Sequence, residues 1–307
     1  MGSDNKSVLS KTLFEFGPIT VITFLGIDVI AGVSLVLYTL VIAIILKHRK
    51  AKFPSTFYIL IVSMGFADIG CLIAHFAYLN VVNIWGAENV SYYYKVVWGM
   101  IWECLNNVST NHIFYIAVNR LLAVYYPQTY ERYFNTVTLA IIIISSYLIE
   151  MIYPIWMYYC SVFVDAKNLA YSHKFKPNSC AQLTFRGRQL QDALCIMPSL
   201  AVNIATFVKV RAIRKQVNTV NNANSKREMR MLLQFSSIFF FCAFYFSLFW
   251  VVTLWLNPGD SEAWQLTQTL SFISHCSINP FFLVFFGQDI RQLIFKRQST
   301  TVSNITN

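Results

Sequence analysis

Asp68 is a carboxylate in the middle of an otherwise apolar run, residues 55–82. A charged side chain at that depth costs about 2.5–3.5 kcal/mol on insertion scales, so it is expected to face other helices and not lipid. Two readings stay open for it: a sodium or proton site, or a neutral, hydrogen-bonded core carboxyl. Arg120 closes the third apolar run in Asn119-Arg120-Leu121, with Pro127 just beyond. Its guanidinium is permanently charged and offers a rigid fork of donors; the plainer reading is an arginine that snorkels to the membrane surface. Pro198 and Pro280 lack an N–H and break the i→i−4 ladder, so each marks a place where a helix can bend. Pro280 follows Asn279, which makes it the stronger signal of the two. Cys160 and Cys180 flank a polar loop, and outside a cell such a pair can oxidise. The closure would add roughly 3 kcal/mol; the alternative is two free thiols. Cys71, Cys104, Cys195, Cys242 and Cys276 lie inside apolar runs and read as small buried hydrophobes.

The elements that hold these residues are membrane helices. Hydrophobic residues make up 56% of the 307 and charged ones 12%, about half the charged share of a typical soluble domain. About 20 apolar residues span the hydrocarbon core. Seven runs qualify: 19–46, 55–82, 96–117, 137–160, 190–210, 231–256 and 264–286. The third is the least apolar, with Glu103, Asn106, Asn107, Asn111 and His112, as expected for a central helix packed on most sides. The expected fold is all-α, a seven-transmembrane-helix bundle over 19–286 with a polar N-terminus over 1–18. Those first 18 residues do not read as a cleavable signal, so the first run is expected to act as a signal anchor. In 287–307, Phe286, Ile290, Leu293 and Ile294 recur at helical spacing. They predict a short amphipathic cytoplasmic helix carrying Arg291, Lys296 and Arg297, followed by a disordered tail.

Charge sets the expected direction. With the N-terminus outside, the inner segments 47–54, 118–136, 208–230 and 287–307 carry 4, 2, 7 and 3 basic residues, 16 of the 24 in the chain. Sequons at Asn5 and Asn89 then fall outside and are candidate glycosylation sites, although Asn304-Ile305-Thr306 is also a sequon and falls inside. The net charge of +10 does not indicate nucleic acid, because the basic residues sit in short clusters between apolar runs.

Ala67-Asp68, Asn119-Arg120-Leu121 with Pro127, Pro198 and Asn279-Pro280-Phe281-Phe282-Leu283, in that order, resemble a rhodopsin-like G-protein-coupled receptor. Asn119 stands where such receptors carry an acid, Leu283 where they usually carry Tyr, and Lys95 where a disulfide cysteine is expected. The first run has no Asn and the sixth no Pro. The loop from Cys160-Ser161-Val162-Phe163-Val164-Asp165 to Ser179-Cys180, with Asn119 to Pro127 and Ile278-Asn279-Pro280-Phe281, is similar to nematode chemoreceptors, serpentine receptor class X or a sister class.

The resemblance implies a small-molecule ligand outside, a heterotrimeric G protein inside and no enzymatic activity. It implies that Asp68 has Ser109 and Asn279 as neighbours, the set for a sodium ion, with no other cofactor expected. It makes Asn119, Arg120, Pro127, Asn279 and Pro280 coupling or switch residues, with Glu228 as a resting partner for Arg120. A ligand pocket between the third, fifth, sixth and seventh spans would draw on Trp102, Glu103, Asn106, Asp192, Trp250 and Gln268, although for any one of them helix packing is the plainer reading. Such a pocket suits a small lipophilic ligand, while Lys167, Lys174, Lys176 and Arg186 would favour anions. Basic residues of 211–230 would meet the G protein and anionic lipid, and Ser299, Thr300, Thr301 and Ser303 would be phosphorylated for arrestin. The competing class is a membrane transporter with a central small-molecule site, although no internal repeat is visible. A retinal protein is excluded by the absence of Lys from 264–286. A zinc hydrolase would need His75, His112 and His275 to converge.

Overall fold

The computed structural model describes residues 17–49, 56–160, 162–167, 170–175, 179–217, 240 and 262–295. Six of the seven apolar runs are helices within that set; the sixth, 231–256, falls outside it apart from residue 240. The first span is Pro18–Lys47. The second runs from Thr56–Ala74 through a π-helical segment, His75–Asn80, into Val81–Trp85. The third is Tyr92–Tyr125 and the fourth Thr136–Tyr159. The fifth is Ser179–Val217 and the seventh Glu262–Phe286. A short helix, Pro127–Tyr133, links the third and fourth spans, and Gln288–Phe295 follows the seventh.

Burial follows from where each helix stands. The first span turns Ile22, Val29 and Val36 outward, as lipid-facing positions should. The fourth buries a single stripe, Leu139, Ser146, Glu150, Pro154 and Met157, and exposes most of the rest. The third buries Asn106, Asn107, Ser109, Thr110, His112 and Asn119 among other helices. It packs against the second, fourth and fifth spans. Two apolar clusters bracket these polar residues. Phe24, Tyr78, Leu79 and Trp102 form one toward the first turns of the first and third spans. Tyr38, Ile45, Phe57, Leu60, Ile61, Ile116 and Leu283 form the larger one at the opposite end. Ile290 of the last short helix is buried in that larger cluster, with Leu293 and Ile294 packed against it, while Arg291 is exposed.

Helix ends have local causes. Ser91 caps the third span by accepting the N–H of Tyr94, and Asn135 caps the fourth through Thr138. Pro127 opens the linking helix, where a missing N–H costs nothing. Gly86 ends the second span at φ 83°, a region that disfavours any side chain.

Two boundaries differ from the sequence expectation. The third span is longer at both ends than 96–117. The segment 161–189, expected as a loop, contains an antiparallel hairpin, and the fifth span begins at Ser179 instead of 190. The hairpin pairs β1, Val162–Lys167, with β2, Ala170–Phe175, in a register running from Val162 opposite Phe175 to Lys167 opposite Ala170. Val162-Phe163-Val164 favours an extended chain. The first turns of the fifth helix, before residue 190, are hidden in the sequence because Arg186 and Arg188 interrupt their hydropathy. Arg188 is buried nonetheless, because carboxylates receive it.

Candidate functional site

Asp68 is fully buried, and its carboxylate gathers donors from three other spans. Tyr38 of the first span donates to Oδ2 at 2.5 Å. Asn279 of the seventh donates its amide to the same oxygen at 2.9 Å. Ser109 of the third donates to Oδ1 at 2.5 Å and lies 3.5 Å from His275 Nε2. One carboxylate therefore ties four spans. A buried carboxylate survives in such a place because hydrogen bonds replace its lost hydration.

The approach of Tyr38 depends on Gly65, one helical turn before Asp68. A Cβ there would sit 2.8 Å from Tyr38 Cε1 and 2.7 Å from Ile42 Cδ1. The structure brings Asp68, Ser109 and Asn279 together. Tyr38 was not anticipated; it is one of several hydroxyl residues in its run, with Thr20, Thr23, Ser34 and Thr39, and nothing in the sequence ranks it above them. A carboxylate with hydroxyl and amide oxygens suits a hard cation. Here the hydroxyl and amide groups direct their hydrogens at Asp68, so donors balance the carboxylate.

At the other end of the third span, Asn119 is buried and donates its amide to Tyr130 Oη at 2.9 Å. Tyr130, in the linking helix that Pro127 opens, also shares a hydrogen bond of 2.7 Å with Thr56 Oγ1. The neutral residue at this position thus binds the linker to the start of the second span. Arg120 lies with its Cζ 3.2 Å over the ring of Phe57, itself buried. Glu228, the expected partner of Arg120, lies outside the described residues.

The expected pocket residues divide. Glu103 is buried and meets Arg188 Nε at 3.5 Å, and Arg188 Nη2 meets Asp192 Oδ1 at 3.1 Å. Trp102 is edge-on to Phe272 at 4.8 Å inside an apolar cluster. Asn106 is buried, and its backbone carbonyl accepts from Thr110. Gln268 lies on the seventh helix, and Trp250 falls outside the described residues. Arg188 was the residue missed, for the hydropathy reason given above.

Cys160 and Cys180 form a disulfide with Cα atoms 5.4 Å apart, tying the end of the fourth span to the start of the fifth across the hairpin. Lys95 donates to the carbonyl of Ala87 at 3.0 Å. Asn89 is exposed beyond the second span, where its amide bonds Trp85 O at 2.6 Å; Asn5 lies outside the described residues. Pro198 lies within the fifth helix, and Ser199 beside it donates to Cys195 O at 2.5 Å. Pro280 lies within the seventh, and the fourth carries a further internal proline, Pro154. The three histidines have separate partners: His75 meets Asp28 at 2.7 Å, His112 meets Ser63 at 2.9 Å, and His275 lies beside Ser109. Among the described residues no group of three metal-ligating side chains converges.

None of the curated proteins compared matches the chain. The family model of the serpentine type 7TM GPCR chemoreceptor Srv matches residues 29–300. That span takes in the Asp68 cluster, Arg120, the hairpin and Asn279-Pro280 alike. The resemblance to class X or a sister class thereby resolves to a sister class, Srv. This multi-pass membrane protein belongs to the Srv family of serpentine seven-transmembrane chemoreceptors.

Proposed function

We propose that the chain is a plasma-membrane receptor, N-terminus outside and C-terminus inside, that binds a small extracellular ligand and activates a heterotrimeric G protein. The observation that carries this reading is the Asp68 cluster. Four spans meet at one carboxylate through three hydrogen bonds. Relative movement of the third and seventh spans would have to break or remake those bonds, so a ligand that moves these spans acts on the cluster. A ligand shifts an equilibrium between two states by its differential affinity for them.

Arg120 supports the same reading from the other end. A ring holds it where other receptors of the superfamily use an adjacent acid. Its release toward a G-protein segment then costs a cation–π contact of about 0.5–2 kcal/mol. The direction is supported by the basic residues concentrated in the segments assigned inside, and by a disulfide-closed hairpin at the opposite end, where oxidation is permitted. On this reading Asn89 carries glycan, a sodium ion competes for Asp68 in the resting state, and the tail serines and threonines, which lie outside the described residues, are arrestin-directed phosphorylation sites.

The test is expression with a promiscuous Gα and a panel of volatile and small-metabolite compounds. Responses should require both Arg120 and the Gα, and Asp68→Asn should abolish their sodium sensitivity. Compound flux into receptor vesicles lacking any G protein would favour a transporter instead.

A further inference from the structure

The third, fourth and fifth spans enclose a second charged cluster, separate from Asp68. Glu103 lies eleven residues in from Tyr92, Glu150 nine before Tyr159 and Arg188 nine after Ser179. At 1.5 Å per residue all three sit roughly 14–17 Å from the hairpin end of their helices, at one level. Gln191, which donates to Glu150, stands next to Asp192 and one helical turn after Arg188, so the Glu150 carboxylate adjoins the Arg188–Asp192 pair.

Among the described residues the cluster holds three carboxylates and one guanidinium, and Arg188 meets both Glu103 and Asp192. Glu150 is 1% exposed. Its Oε1 accepts both Asn111 Nδ2 at 2.6 Å and Gln191 Nε2 at 2.7 Å. Its Oε2 accepts no hydrogen bond among the described residues. A buried carboxylate oxygen without a partner is costly. A proton on Oε2 would exchange an orphan acceptor for an orphan donor. Arg188 Nη1 is also without a hydrogen bond among the described residues, but an anion arriving there would meet Glu103 and Asp192.

We propose that this cluster recognises a small organic cation, a protonated amine, with Glu150 Oε2 as its principal acceptor and Glu103 and Asp192 supplying the surrounding negative field. The proposal rests on the receptor reading and names its ligand class. It points away from the anion preference that the hairpin lysines imply.

The experiment follows thermal unfolding of the full-length receptor in lipid nanodiscs with phenethylamine, 2-phenylethanol and phenylacetate. These share a ring and chain length and differ in charge. The amine is expected to raise the unfolding temperature while the alcohol and the acid do not. Glu150→Gln should weaken the amine's apparent affinity at least tenfold, and Glu88→Gln, an exposed carboxylate, should leave it unchanged. Should Glu150→Gln give no cooperative transition, Glu103→Gln carries the same expectation. An equal response to the alcohol, silence with all three probes, or an amine response undiminished in the variants overturns the proposal. The readout needs no G protein, so that result would leave the coupling function to its own test.

Discussion

The hydroxyl of Tyr38 reaches Asp68 Oδ2 at 2.5 Å through the gap left by Gly65. A tyrosine of the first span thus serves a carboxylate of the second, beside Asn279 from the seventh. Interhelical side-chain bonds in membranes average about 0.6 kcal/mol and reach about 1.7. With a carboxylate as acceptor, Tyr38→Phe should cost near the upper figure, and Gly65→Ala should act in the same direction by pushing the ring away. Asp68→Asn should cost more than either, since one amide oxygen then faces three donors while the amide nitrogen adds two more donors. Thermal unfolding in nanodiscs ranks the three; a Tyr38→Phe variant as stable as wild type would count against the cluster as described.

Asn119, Tyr130 and Thr56 form a chain of side-chain bonds across the Arg120 end. Tyr130→Phe removes both links and Asn119→Ala removes one. Groups within one network couple by roughly 0.5–3 kcal/mol. The double variant should therefore be less destabilised than the two single effects added together. Strict additivity in a double-mutant cycle would mean that the contacts do not act as a network.

The Cys160–Cys180 bond closes the loop carrying the hairpin. Loop-closure entropy for that separation gives about 3 kcal/mol. Replacing either cysteine with serine should lower the unfolding temperature, and dithiothreitol should then have no further effect. A reduction-insensitive wild type would contradict the bridge.

Asn89 lies exposed just beyond the second span, at the hairpin end. If that end faces outward, a glycosidase should shift the receptor's mobility on a gel, and Asn89→Gln should remove one increment of that shift. No difference between the variant and wild type would speak against glycan at this site.

The architecture was largely legible because membrane helices announce themselves by length and hydropathy. The helix after Gly287 was legible from the recurrence of Ile290, Leu293 and Ile294. What escaped depended on contacts between segments. Arg188 interrupts the hydropathy of the fifth helix before residue 190, and its carboxylate partners on other turns and spans are not visible in the local pattern. Tyr38 had no local feature to set it apart from neighbouring hydroxyls. The π-helical turn at His75–Asn80, which accompanies the Asp28–His75 contact, carries no sequence signature of its own. The proximity of Asp68, Ser109 and Asn279 came from family resemblance, since no periodicity relates residues on three different helices.

The most direct test of the account is guanine-nucleotide exchange on a purified heterotrimer by the receptor in nanodiscs, without added ligand. Loss of the Arg120–Phe57 contact should favour the active arrangement by about 0.5–2 kcal/mol, so Phe57→Ala should raise basal exchange roughly 2- to 30-fold where the active state is the minor one. Arg120→Ala should reduce exchange to the level of empty nanodiscs, in the Phe57→Ala background as well. Exchange indistinguishable from empty nanodiscs in both wild type and Phe57→Ala, across the Gα classes, would contradict the receptor function proposed.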